Sequence, residues 1–229
     1  MNRTERLRRK DKDLIWHPFT QMADWDKDNP LIIERGEGNY LIDTEGRRYF
    51  DGVSSLWVNL FGHRRREIEE AIRSQLDRIG HSTFLGLAHV PAIELAEKLL
   101  AVSPPGLSRV FYSDNGSTAM EIALKMAFQY WQQKGGRGRK QGFMTLTQAY
   151  HGDTLGAVSA GGIDLFHKIF QPLLFSTRHI PAPHCYRCPY GLARPSCALT
   201  CAARMEEEVR KHQDTLAAVI AEPLVQVAA

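Results

Sequence analysis

Residues 111–131, F-Y-S-D-N-G-S-T-A-M-E-I-A-L-K-M-A-F-Q-Y-W, set the frame for the rest of the chain. Arg109 to Tyr112 is short, apolar and aromatic, the character of a buried strand. Ser113, Asp114, Asn115 and Gly116 are turn and cap residues, and Ser117 to Trp131 then follows a helical period. Ala119, Ile122, Ala123, Met126, Ala127 and Tyr130 form one apolar stripe. Met120, Leu124, Phe128 and Trp131 form a second, so the helix is predicted to be covered from two sides. A strand, a glycine turn and a helix start make an anion site. The first helical N–H groups lack intrahelical acceptors and carry the positive end of the dipole. Gly116 lets the backbone approach a phosphate, and the Ser117 hydroxyl adds a bond. The same residues also describe an ordinary capped helix, so the motif draws its weight from its neighbours.

Composition narrows the classes. Basic and acidic residues number 29 and 26, a net charge of +3 that gives no case for a nucleic-acid partner. No apolar run approaches the roughly 20 residues of a membrane span. The N-terminus, M-N-R-T-E-R-L-R-R-K-D-K-D, lacks the apolar core of a secretory signal. A soluble cytoplasmic protein without a membrane partner is expected, and Arg3, Arg6, Arg8, Arg9, Lys10 and Lys12 are expected to form a solvated helix end.

Working outward, Trp16 to Trp25 (W-H-P-F-T-Q-M-A-D-W) is an aromatic loop that either packs on the main body or lines a pocket. Leu31 to Arg35, Asn39 to Asp43 and Arg47 to Phe50 predict a three-stranded meander, turned at Gly36/Gly38 and at Thr44 to Gly46. Asp51 to Asn59 leaves that sheet. Glu67 to Ile79 predicts a helix with Ile68, Ala71, Ile72, Leu76 and Ile79 inward. Pro91 to Val102 predicts another, packed through Leu95, Ala96, Leu99 and Leu100. A glycine-rich basic loop (residues 135–142), a strand (Gly142 to Thr147) and a turn (Ala149 to Thr154, A-Y-H-G-D-T) follow. A helix over Ala202 to His212 and a strand over Thr215 to Ala221 complete the pattern.

Alternating strands and helices predict an α/β fold with a mostly parallel sheet, preceded by a small α+β part. The division expected is 1–60 for the aromatic loop and meander, and 61–229 for the N-terminal portion of a larger domain. The last predicted strand should lie inside a sheet, yet V-Q-V-A-A follows it directly. A fragment lacking its C-terminal half is the expectation.

Three further stretches give the pattern a family. F-Y-S-D-N-G-S-T-A-M-E-I-A-L-K-M-A, A-Y-H-G-D-T and I-A-E-P-L-V-Q, in that order, resemble the class III pyridoxal-phosphate-dependent aminotransferases. W-H-P-F-T-Q-M, V-S-S-L-W-V-N-L-F-G-H and H-S-T-F-L-G-L-A-H-V-P-A narrow the resemblance to the members of biotin synthesis that act on 8-amino-7-oxononanoate. The resemblance runs from about Leu14 to Val225 and implies the type I aminotransferase fold.

The resemblance also implies a site. Gly116 and Ser117 match the turn that holds the 5′-phosphate of pyridoxal 5′-phosphate, and Tyr150 matches the aromatic residue that stacks on its ring. His151 and Gly152 follow in the same turn. Glu222 matches a carboxylate near the cofactor, with Gln226 close behind it. Trp57 matches a substrate-pocket residue suited to a long aliphatic chain. Plain structural readings compete: Tyr150 as a loop aromatic, Trp57 as core, Glu222 as a surface carboxylate. The chain departs from the family pattern at Val227, where glycine usually follows, and at Phe19, where members using S-adenosylmethionine often carry tyrosine. Phe19 leaves lysine open as the amino donor. Transamination also needs a Schiff-base lysine and a carboxylate on the pyridine nitrogen. The family places both beyond Ala229, so no catalytic residue is expected in this chain, and the chain alone should not turn over. A homodimer is implied for the complete protein.

Cys185, Cys188, Cys197 and Cys201 fall in one insert, 184–201, as C-x2-C-x8-C-x3-C beside His184. Free thiols, a structural metal site and disulfides are the three readings, the first being the expectation for a reducing compartment. The competing functions are another class III enzyme acting on an ω-amino acid or diamine, and a non-catalytic metal-binding or interaction module.

Overall fold

The computed structural model describes residues 1–135, 139–163 and 167–224. Two compact units make up the chain, Met1–Lys98 and Leu99–Ala229.

The first unit opens with helix α1 (Arg3–Leu14), started by a capping box in which Asn2 and Glu5 satisfy each other's backbone N–H. Asp11 on α1 gathers half of the aromatic loop. It accepts from Trp25 Nε1 at 2.8 Å and bonds His17 Nε2 at 3.0 Å. Trp25 closes the short helix α2 (Met22–Trp25). Trp16 and Phe19 take no part in this packing and stand exposed. The meander follows as β1 (Ile33–Glu37), β2 (Tyr40–Asp43) and β3 (Arg48–Phe50), antiparallel in the order β1-β2-β3. Gly36 belongs to β1, paired with Leu41, rather than to the turn, and the ring of His63 lies where its side chain would be. The turn rests on Gly38, at φ +55°. Asp43 fastens the second turn, accepting from the Glu45 and Arg47 amides, Arg47 Nε and the Tyr49 hydroxyl.

A turn, α3 (Ser54–Trp57), and two helices, α4 (Arg66–Leu76) and α5 (Val90–Val102), complete the helical part. The apolar face of α4 was expected inward, but Ile68, Ile72, Leu76 and the following Ile79 are exposed, as are Leu95 and Leu99 on α5. Periodicity identifies an apolar face; it does not guarantee that the same chain supplies the cover.

The second unit is built around a parallel sheet in the order β5-β4-β6, with β4 (Gly142–Leu146), β5 (Arg178–Ile180) and β6 (Leu216–Ile220). Four of the five residues of β4 are buried, as a central parallel strand requires. Met144, Leu146, Ala149, Ile180, Ala182 and Leu216 form the core, with Met205 and Val209 of helix α8 (Thr200–His212) against it. Helix α6 (Gly116–Gln133) packs through Leu124, and the Trp131 indole donates to Ala217 O on β6 at 2.8 Å. The buried helix α7 (Leu155–Ala160) joins α6 beside β4.

Two expectations fail here. Arg109 to Tyr112 joins neither sheet, since a strand exists only by pairing and neither ladder reaches it. And α6 is covered on one side rather than two: Ala119, Ala123, Met126 and Tyr130 are exposed.

Candidate functional site

The carboxyl ends of β4 and β6 and the N-terminus of α6 meet in one place. Open parallel sheets bind ligands at the carboxyl ends of their strands. Beyond β4 the chain turns through Ala149 to Thr154, and beyond β6 it reaches Glu222. The Glu222 carboxylate accepts from the Tyr150 amide at 3.1 Å, tying the two strand ends together.

Asn115 caps α6. Its side chain accepts from the Thr118 amide at 2.9 Å, while Thr118 Oγ1 accepts from the Asn115 amide and donates to Asp114 at 2.7 Å. The Thr118 hydroxyl, with the backbone and Ser113, holds the Asp114 carboxyl below the usual carboxylate range. The Ala119 amide bonds Asn115 O. Among the described residues, no protein acceptor takes the amide hydrogens of Gly116 and Ser117. The cap therefore leaves two adjacent donors at the positive end of an 18-residue helix.

The Tyr150 turn closes over these donors. Ser117 Oγ accepts from the Asp153 amide at 3.1 Å, and Asp153 accepts from the Tyr150 hydroxyl at 2.7 Å. Gly152 makes the approach possible. It sits at φ +120°, and a Cβ there would lie 2.2 Å from Ser117 Oγ and 2.8 Å from Ser117 Cα. Glu121, one turn further along α6, accepts from the Gly156 and Ala157 amides at 2.7 and 3.3 Å. The helix and the turn are thus clamped at two levels.

Protonation follows from these contacts. Burial, then the bond to Asp153, pushes the Tyr150 phenol up to about 12, so it is neutral at neutral pH. Burial pushes the His151 imidazole down, against the opposing pull of Glu222. His151 Nε2 lies 3.2 Å from Oγ1 of the fully buried Thr145.

Five of the seven residues expected at the site, Gly116, Ser117, Tyr150, His151 and Glu222, are brought together in the second unit. Trp57 and Phe19 belong to the first unit, where they are 69% and 87% exposed. Exposure removes the reading of Trp57 as core within that unit. Gln226 and Val227 lie outside the described residues. Asp153 and Glu121 escaped the sequence reading. Their signal was a carboxylate next to the turn glycine and the single acid of helix α6. The four cysteines are free thiols around one small cavity of about 30 Å³. No three His, Cys, Asp or Glu groups among the described residues are placed to hold a metal ion. No helix among them is long and apolar enough to cross a membrane.

A family model, aminotransferase class-III, matches residues 21–229. The chain belongs to the class III aminotransferases. It is 56% identical over 229 residues to an adenosylmethionine-8-amino-7-oxononanoate aminotransferase of Nitratidesulfovibrio vulgaris, covering 100% of this chain and 42% of the relative. The crystal structure of the Methanocaldococcus jannaschii aminotransferase of that name superposes with a TM-score of 0.83 at 46% identity, covering 94% of this chain and 46% of that one. An amine transaminase from an uncultivated Pseudomonas species, solved in a PLP-bound form, gives 0.80 at 38% identity over 92% and 48%. The chain spans about half the length of the curated relatives it matches. These likenesses establish the fold as that of the PLP-dependent transaminases, fold type I.

Proposed function

We propose that the complete protein to which this chain belongs is a pyridoxal-phosphate-dependent aminotransferase that converts 8-amino-7-oxononanoate to 7,8-diaminononanoate in biotin synthesis. The observation that carries this reading is the pair of amides at Gly116 and Ser117 that no described residue accepts from, roofed by a turn that only glycine at residue 152 permits. A doubly charged phosphate satisfies both donors and the helix dipole at once. Ser117 Oγ already accepts from Asp153, which leaves its hydrogen for a phosphate oxygen.

The bound cofactor would supply an electron sink for charge developing at the amino donor's Cα. The chain's own residues hold and orient it. Tyr150 offers its ring as a stacking face, and the Asp153 bond fixes the phenol. A neutral phenol also avoids repulsion with the phosphate, which a phenolate would suffer. Glu222 acts on the backbone of Tyr150 as well as on the field at His151. Trp57 and Phe19 line the substrate pocket, Trp57 against the aliphatic chain of the oxo-acid. The amino donor is S-adenosylmethionine or lysine, the absence of a hydroxyl at Phe19 keeping lysine open. The complete protein works as a cytoplasmic homodimer.

The likeness to 8-amino-7-oxononanoate aminotransferases favours that oxo-acid, and the amine transaminase likeness favours an ω-amino acid or diamine as the second reading. Assay of the complete protein with 8-amino-7-oxononanoate, against β-alanine and putrescine, decides between them. The expected result is turnover of the oxo-acid with one of the two donors. Turnover of the amines alone overturns the biotin reading, and failure to bind pyridoxal phosphate overturns both.

A further inference from the structure

The loop from Asp51 to His63 in the first unit has a polar base and an apolar crown. At the base, His63 Nε2 meets Asp51 Oδ2 at 2.8 Å, and both side chains are largely buried. Asp51 also accepts from the Ser55 amide and the Ser55 hydroxyl, each at 2.8 Å. Asn59 Nδ2 lies 3.2 Å from His63 Nδ1, so Asn59 donates there while Nε2–H donates to Asp51. Backbone bonds pin both ends of the loop to the meander. The Asp51 amide donates to Asn39 O at 2.9 Å, and His63 forms a two-way bridge with Gly38 at 2.7 and 3.2 Å. Gly36 leaves room for the His63 ring, whose Cγ would lie 2.5 Å from any Cβ there.

What this base supports is unusual backbone. Ser54, Ser55, Leu56 and Trp57 are four consecutive non-glycine residues at φ +48°, +43°, +57° and +71°. Left-handed backbone is uphill for every one of them. Such a run persists only where its surroundings over-determine it. The apolar residues it carries do not supply that support, because Leu56, Trp57, Val58, Leu60 and Phe61 are all exposed. The support is polar, and it converges on Asp51.

We infer that Asp51, His63 and Ser55 are positioning residues that hold the left-handed turn and thereby set Trp57 against the apolar chain of the amino acceptor. The inference rests on the pocket reading of Trp57 given above. Asp51 and His63 touch neither substrate nor cofactor in this scheme; they fix the backbone that aims the indole. Trp57 on a relaxed, right-handed turn would present its ring in a different direction.

The test uses the complete protein and four variants: Trp57→Ala, Asp51→Asn, His63→Ala and His63→Gln. Asp51→Asn places an amide donor where Oδ2 receives two donors, whereas His63→Gln keeps a donor toward Asp51. Asp51→Asn and His63→Ala are expected to raise KM for 8-amino-7-oxononanoate about tenfold while leaving the amino-donor half-reaction within about twofold. Hydrogen exchange of the amides of residues 54–58 should speed up by about tenfold or more in the same variants. His63→Gln should recover most of both effects. An unchanged KM in Trp57→Ala overturns the inference through the pocket reading. A raised KM in Trp57→Ala with an unchanged one in Asp51→Asn overturns the positioning role alone. Equal losses in both half-reactions without faster exchange at 54–58 also overturn it.

Discussion

Two loops in this chain are built on opposite plans. The Asp51–His63 loop satisfies its polar groups internally and turns its apolar side chains outward. The Tyr150 turn closes on α6 through tight polar contacts, yet leaves two helix-end amides without an acceptor among the described residues. The first plan makes a shaped apolar surface, suited to an aliphatic chain. The second makes a charged cradle, suited to a phosphate. The difference shows which kind of ligand each loop can take before any ligand is placed, because the groups a fold leaves unsatisfied are those it offers to something else.

The sharpest way to break the comparison is Gly152→Ala. Backbone at φ +120° and a Cβ overlapping Ser117 leave no way to seat the turn on the helix. Strain and overpacking together should cost about 3 kcal/mol, read from denaturant unfolding, and binding of pyridoxal phosphate should be lost. A variant that binds the cofactor normally would show that the turn does not form the cradle. Glu121→Ala should do less. It strands the Gly156 and Ala157 amides in a buried helix start, a loss of about 2 kcal/mol in stability with a smaller effect on the cofactor. Cofactor affinity falling more than stability would move Glu121 into the site itself. Ser117→Ala removes one phosphate donor and one acceptor for Asp153 and leaves the helix cap intact. Cofactor titration should show roughly tenfold weaker binding, with unfolding nearly unchanged.

How much of this was legible beforehand differs between the two loops for a physical reason. The cradle was written locally: cap residues, Gly116 and Ser117 stand in sequence order, and the A-Y-H-G-D-T turn announces its own bend. Its second half, Tyr150 against Glu222, spans 72 positions, and family resemblance rather than spacing brought those residues together. The base of the first loop was not legible at all. Asp51 and His63 look like a turn acid and a loop histidine until the meander brings them within 2.8 Å. Left-handed backbone at Ser54 to Trp57 was hidden too, because nothing in S-S-L-W asks for it. The strand expected at Arg109 to Tyr112 and the inward faces of α4 and α6 failed together. In each, composition specified an apolar surface and the partner surface is not among the described residues.

The smallest expected effect separates the two units at high pH. Each pins a phenol to a carboxylate, Tyr49 to Asp43 and Tyr150 to Asp153. Burial and the acceptor raise both phenols, Tyr150 to about 12. The unfolded chain loses the Tyr150 proton near pH 10 while the folded state keeps it, so that stabilisation is complete below about pH 10 and drains away as pH climbs toward 12; Tyr49 contributes in the same direction. Absorbance of tyrosinate should show a late-titrating step, and Tyr150→Phe should remove the part of it near pH 12 while leaving the Tyr49 contribution. On the proposed reading, bound pyridoxal phosphate would place negative charge beside Tyr150 and not Tyr49, and should move only the Tyr150 step further up. A cofactor-dependent shift that survives in Tyr150→Phe would assign it to another phenol and separate the phosphate cradle from the Tyr150 turn.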